Sequence, residues 1–194
     1  GWMQVGNQWK YYSQGTLKIY GKTFVDGEKV TGWLPLGNRW YYIANDDYMV
    51  TGYYKVGNST YYFDESGLMQ TGWFKINGED YYATSSGAIQ AQWVKSLSNW
   101  YYVDVDGKMV TGYQTINGAK YYFASSGLMQ KGWFKINGED YYAASSGTIQ
   151  AQWVKSGRNW YYVDTDGKMV TGDYIIDRKV NYFDNQGLWM NKIN

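Results

Sequence analysis

The chain has 194 residues and a net charge of +1, and 21% of its residues are aromatic, with Tyr 23, Trp 11 and Phe 6. Cys and His are both absent, which excludes a thiol nucleophile, a Ser-His-Asp triad, a zinc finger and any imidazole metal site. The balanced charge gives no basic field for nucleic acid or anionic lipid, and no apolar run nears the roughly 20 residues that span a bilayer.

In chain order, residues 1–31 are divergent. Gly1-Trp2 reads as the cut end of a mature fragment without a secretory leader. There is one residue more than in later units between Trp2 and Tyr11-Tyr12, and a shortened turn at Phe24-Val25-Asp26-Gly27. From Gly32 a period of 20 residues takes over. Units begin at Gly32-Trp33, Gly52-Tyr53, Gly72-Trp73, Gln92-Trp93, Gly112-Tyr113, Gly132-Trp133, Gln152-Trp153 and Gly172-Asp173. Each continues to a Tyr pair, a turn Gly and a Met or its substitute. A second period of 60 lies over the first, since residues 71–110 match 131–170 at 34 of 40 positions. The regular array is 32–171, and 172–194 is a divergent end unit that loses its leading Trp and one Tyr and carries Trp189 in the Met position.

Each unit reads as a β-hairpin. Asn77-Gly78, Asn117-Gly118 and Asn137-Gly138 sit between short aromatic or β-branched runs, and Asn-Gly best tolerates the two positive φ angles of a type I′ turn. Asp-x-Asp-Gly at 104–107 and 164–167, or Ser-Ser-Gly at 85–87, 125–127 and 145–147, makes a second turn. The Asp pairs are therefore assigned to turns, and no metal ligand set is expected. Because a lone hairpin is marginal in water, stability must come from stacking neighbours. The Tyr pairs and the Met row are expected to supply most of that core.

The spacing of Gln92-Trp93, Trp100-Tyr101-Tyr102, Gly107 and Met109-Val110-Thr111-Gly112 resembles the choline-binding, or cell-wall-binding, repeats of bacterial surface proteins of the pneumococcal type. The resemblance covers nearly the whole chain. It implies an all-β fold, a left-handed solenoid of hairpins of about 20 residues with roughly three hairpins per turn. It also implies a non-catalytic module that binds choline or phosphocholine, on the phosphocholine-decorated teichoic and lipoteichoic acids of the extracellular bacterial cell surface, without a cofactor. A catalytic or adhesin domain can accompany such a module.

In that family two tryptophans of one unit, an aromatic of the next Tyr pair and a nearby Met or Leu hold the ligand. The resemblance carries this over to Trp33, Trp40 and Tyr61 with Met49, and to Trp93, Trp100 and Tyr121 with Met109. It also carries it to Trp153 and Trp160 with Met169, where the third ring position is Asn181 and Tyr182 is the adjacent candidate. Asp80 and Asp140 replace the second Trp in the Trp73 and Trp133 units, and Thr60 and Lys120 stand there in the Gly-Tyr units. Those units are expected to be spacers.

The chemistry is independent of the resemblance. A quaternary ammonium has no N–H donor, so electron-rich ring faces suit it, at roughly 0.5–2 kcal/mol per ring. Two other binding readings share these repeats: a glucan-binding module of the glucosyltransferase type and a carbohydrate-binding repeat of the clostridial-toxin type. An enzyme is disfavoured, because no non-repetitive stretch is long enough for a catalytic fold.

Overall fold

A computed structural model describes residues 1–190; the last four residues of the 172–194 end unit lie outside the described residues. The described residues form ten antiparallel hairpins, the last of which gains a third strand at Trp189–Met190. No helix is long and apolar enough to cross a membrane. The chain divides into two compact units, Gly1–Gln92 with Val103–Met109, and Trp93–Tyr102 with the residues from Val110 onward.

The turns form as their residues dictate. Asn77, Asn117 and Asn137 all have φ of 50°, each followed by a Gly in the same left-handed region, as a type I′ turn requires. This fixes the register: Trp33 pairs with Tyr42, Leu34 with Tyr41 and Pro35 with Trp40, and the same offsets recur in the Trp133 and Trp153 hairpins. The first hairpin obeys them too. Trp2 pairs with Tyr11 and Gln4 with Trp9, so Tyr11 is the second Tyr of the unit and Lys10 replaces the first. No residue is inserted between Trp2 and the Tyr pair. The second turn is built around a side chain: Asp104 Oδ1 accepts from the amides of Asp106 and Lys108 at 3.0 and 2.9 Å. Among the described residues no cluster of acidic side chains could hold a metal ion.

Successive hairpins are stitched by a backbone bond of constant reach. In the first unit the Met69 amide donates to the Trp40 carbonyl and the Ile89 amide to the Thr60 carbonyl. In the second, the Met129 amide donates to Trp100 and the Met169 amide to Asp140. The segment after each hairpin thus folds back on the hairpin before it.

A longer contact closes the turn of the stack within each unit. The Tyr53 hydroxyl donates to the Asp106 carbonyl at 2.9 Å, and the Tyr113 hydroxyl to the Asp166 carbonyl at 2.8 Å. A hairpin therefore meets the turn that follows the second hairpin after it, the arrangement of three hairpins per turn. Each unit is a β-hairpin solenoid.

The core lies only partly where the sequence puts it: Ile89, Met129 and Ile149 of the Met row and Tyr41 are buried. The Tyr pairs are mostly half-buried, and the fully buried column is the residue after them: Ile43, Phe63, Ala83 and Val103 in the first unit, and Phe123, Ala143, Val163 and Phe183 in the second, all at 0–1% exposure. Stacking decides this: that residue shares a face with the first Tyr, and the preceding hairpin covers it, as Trp33 lies 6.0 Å from Phe63 and Trp93 5.8 Å from Phe123.

Candidate functional site: aromatic cages between consecutive hairpins

Trp33 and Trp40 lie on the same face of one hairpin, two pairing steps apart. Their ring centroids are 6.2 Å apart at 82°. The pairs Trp93–Trp100, at 6.3 Å and 87°, and Trp153–Trp160, at 6.4 Å and 85°, repeat this geometry. Two rings at right angles form a corner rather than a platform. Each first Trp is propped from behind by its neighbour's core Phe: Trp33 by Phe63 at 6.0 Å, Trp93 by Phe123 at 5.8 Å and Trp153 by Phe183 at 5.8 Å. The second Tyr of the same hairpin packs edge-on against the first Trp, as Tyr102 does on Trp93 at 5.2 Å.

The third ring comes from the next hairpin. Tyr61 reaches Trp33 at 4.8 Å, and Tyr121 reaches Trp93 at 5.0 Å. Trp93, Trp100 and Tyr121 together with Met129 line a cavity of about 400 Å³, completed by Lys131, Ser145 and Ser146. The ring carbons are attractive to a cation: Lys95 Nζ already lies 5.7 Å from the centroid of Trp100, and Lys155 Nζ 5.5 Å from that of Trp160.

The methionines sit one repeat away from the positions that the spacing assigns. Met129, not Met109, lines the Trp93 cavity, and the Met109 amide bonds to the Asp80 carbonyl. Met69 packs in the cluster of Trp33 and Tyr61, while Met49 bonds through its amide to Trp9. Met169 bonds to Asp140. The fold-back bond between hairpins is the cause: it delivers each Met to the preceding hairpin, not to its own.

In the Trp153 cage Trp189 stands in the Met position, on a short strand paired with Phe183. Its ring lies 5.4 Å from Trp153 at 74°, the edge-on geometry of Tyr121 on Trp93. Its Nε1–H donates to Asn181 Oδ1 at 3.1 Å. Tyr182 pairs with Asp173 and Met190, on the opposite strand face from Asn181 and Phe183. Trp189 rather than Tyr182 therefore stands as the third ring beside Trp153.

A second aromatic cavity, of about 360 Å³, is lined by Trp2, Trp9, Tyr41, Met49, Glu65 and Ser66. Trp2 meets Tyr41 at 5.1 Å and 67°. Sequence reasoning missed it because an additional hairpin, Leu17–Ile19 with Lys22–Phe24, separates Trp9 from Tyr41 and breaks the period. The signal was the seven-residue step from Trp2 to Trp9, which equals that from Trp33 to Trp40.

The units without a second Trp are different. Asp80 and Asp140, in its place, are each ion-paired with Lys75 and Lys135 at 2.7 Å. Trp133 still meets Tyr161 at 5.4 Å. Two rings and an ion pair replace three rings there.

Comparison with known proteins agrees with this geometry. The choline-binding repeat profile matches residues 30–69, 50–92 and 110–152, and a cell wall binding repeat profile matches 92–109 and 152–169. No curated protein sequence matches significantly. Among solved structures, CbpF in complex with ipratropium aligns with a TM-score of 0.68 and 29% identity, over 88% of this chain and 63% of that one. Choline binding protein F from Streptococcus pneumoniae, in the presence of a peptidoglycan analogue, aligns with a TM-score of 0.63 and 23% identity, over 97% and 92%. The modular autolysin LytC from Streptococcus pneumoniae aligns with a TM-score of 0.60 and 22% identity in its complex with a synthetic peptidoglycan ligand, over 98% of this chain and 48% of that one. With the repeat profile covering more than half of its length, the chain belongs to the choline-binding repeat family.

Proposed function

We propose that this chain is a non-catalytic anchoring module that holds its bearer on the choline groups of teichoic and lipoteichoic acids at the bacterial cell surface, with no cofactor. The observation that carries this reading is the right-angled Trp pair closed by a third ring, built at Trp33, Trp93 and Trp153. A box of ring faces suits a trimethylammonium group, whereas a neutral sugar ring stacks on one flat face. CbpF takes up ipratropium, itself a quaternary ammonium compound. Three rings at roughly 0.5–2 kcal/mol each reach the about 4 kcal/mol of a millimolar site. Several such sites on one chain, facing a polymer with many cholines, gain avidity of order 10²–10⁴. That gain lets individually weak cages anchor a protein.

Calorimetric titration with choline and with dextran tests the reading. Choline is expected to bind in the millimolar range and dextran not at all. At tenfold its Kd, choline should stabilise the fold by about 1.4 kcal/mol per occupied site. Heat and thermal stabilisation with dextran alone would replace this reading with a glucan-binding one.

A further inference from the structure

Three hairpin turns carry Asn followed by Gly: Asn77-Gly78, Asn117-Gly118 and Asn137-Gly138. The pair that sets the register is also chemically labile, because a glycine amide has no side chain to shield it from the carboxamide before it. At Asn117 the fold leaves that reaction open. Asn117 and Gly118 are both exposed, and the ladder ends just outside them, at the pair Ile116 and Ala119. Among the described residues no hydrogen bond holds the Gly118 amide or the Asn117 carboxamide.

Asn117 differs from the other two in what its hairpin carries. Tyr121 pairs with Gln114 two steps beyond the turn, and its ring closes the Trp93 cage at 5.0 Å. Ile116, at the edge of the turn, is 7% exposed and forms with Phe123 and Met129 the cluster on which Trp93, Trp100 and Tyr121 pack. The Asn77 and Asn137 hairpins follow units that hold Thr60 and Lys120 in the second Trp position, so their tyrosines close no Trp pair. The Trp33 cage is closed by Tyr61, from a hairpin whose turn has the reverse order, Gly57-Asn58. There the residue after Asn is Ser59, which carries a side chain and pairs with Val56 in the ladder.

We infer that Asn117 is a site of spontaneous deamidation whose product disables the Trp93 cage and spares the Trp33 cage. The Gly118 nitrogen gives its proton to solvent base and bonds to Asn117 Cγ. The Cγ–Nδ2 bond breaks, ammonia leaves, and a five-membered succinimide remains. Water then opens the ring. Addition at Cγ gives aspartate on the original backbone. Addition at the main-chain carbonyl carbon gives isoaspartate, whose main chain runs through Cβ and is one atom longer. Aspartate before Gly suits a type I′ turn. A longer main chain does not, because the two-residue loop fixes which residues pair across the hairpin. Isoaspartate at this turn therefore draws Ile116 from its cluster and Tyr121 from Trp93. Only the effect on ligand rests on the choline-binding reading.

The test is to age the full chain at mildly alkaline pH and map its peptides by mass, with fragmentation that separates isoaspartate from aspartate. Isoaspartate is expected at Asn117 well before any change at Asn58. In the aged chain the ring-to-ring NOE between Tyr121 and Trp93 should be lost. Choline, followed at the indole N–H signals, should weaken at Trp93 and Trp100 by a factor of about 2–30, the worth of one ring face. Trp33 and Trp40 should keep their fresh affinity. Asn117→Gly, which still ages at Asn77 and Asn137, should keep the Trp93 cage through ageing. Asn117→Asp, which adds the charge without lengthening the backbone, should bind as the fresh chain does. An aged chain with no isoaspartate at Asn117, or with as much at Asn58, overturns the proposal. So does an equal loss at the Trp93 cage in aged Asn117→Gly. A fresh chain that does not respond to choline overturns the choline-binding reading alone, since the mass map and the NOE still report the modification.

Discussion

Asn181 occupies the position where a tyrosine closes the Trp33 and Trp93 cages, and on spacing alone the Trp153 cage lacks a wall. The structure puts the indole of Trp189 there, held by the Asn181 side chain. The consequence for mutation is specific. Trp189→Ala should weaken choline at the Trp153 cage by a factor of about 2–30, the worth of one ring face. Trp153→Ala and Trp93→Ala should then cost their own cages similar amounts. Asn181→Tyr should weaken the Trp153 cage, since it removes the acceptor that orients Trp189 and crowds its ring. Choline titration followed at each indole N–H checks all four variants, and a gain from Asn181→Tyr would show that Trp189 does not complete the cage.

At the level of the hairpin, turn chemistry carries the register. Most turns place Gly or Asn at positive φ, but the last hairpin uses Asp177 at 50° and Arg178 at 65°. A side chain in the left-handed region costs roughly 1–2 kcal/mol, and Gly adopts it freely. Arg178→Gly should therefore raise stability by about 1 kcal/mol, read as a higher denaturation midpoint with an unchanged m-value. Choline affinity at the Trp153 cage should be retained, because the pairing of Ile176 with Lys179 around the turn is preserved. Loss of stability in this variant would mean that Arg178 makes a compensating contact.

Over the whole molecule, the absence of His leaves no imidazole to titrate at the binding sites, and the tyrosines set a pH dependence on the alkaline side. Burial disfavours the phenolate of Tyr53 and pushes its pKa up to about 12, with Tyr81 and Asp106 adding to the shift. Tyr113 is raised for the same reason, beside Tyr141 and Asp166. The folded chain keeps these protons after the unfolded chain has lost them near pH 10. Their contribution is therefore complete below pH 10 and falls as the pH rises toward 12. Tyr113→Phe should lower stability at pH 7 by about 0.5–1.5 kcal/mol, through loss of the bond to the Asp166 carbonyl, and should flatten the decline above pH 10. Urea denaturation at pH 7, 10 and 11.5 measures both effects; an equally steep alkaline decline in Tyr53→Phe and Tyr113→Phe would assign it to other groups.

The hairpins were legible in the sequence because they are local. Asn77-Gly78 sets its own turn, and the turn sets which residues face each other across about ten positions. The same locality placed Trp33 with Trp40 and Trp93 with Trp100, two walls of each cage within one hairpin. The resemblance to the family rested on that spacing, and the expected ligand came with the resemblance. What lay beyond one hairpin did not. The third ring and the methionine come from later segments, and the backbone bond from Met129 to Trp100 sends each Met back to the preceding hairpin. Trp189 reaches Trp153 from the end unit, and the extra hairpin before Trp33 hides the Trp2 cage from a strict period. Phe63 and Phe123 are fully buried in the core, while most of the Tyr pairs pack half-buried against it. Stacking alone decides which face of a repeated strand is closed off from water, since alternation offers two equivalent faces and only the neighbouring hairpin covers one of them.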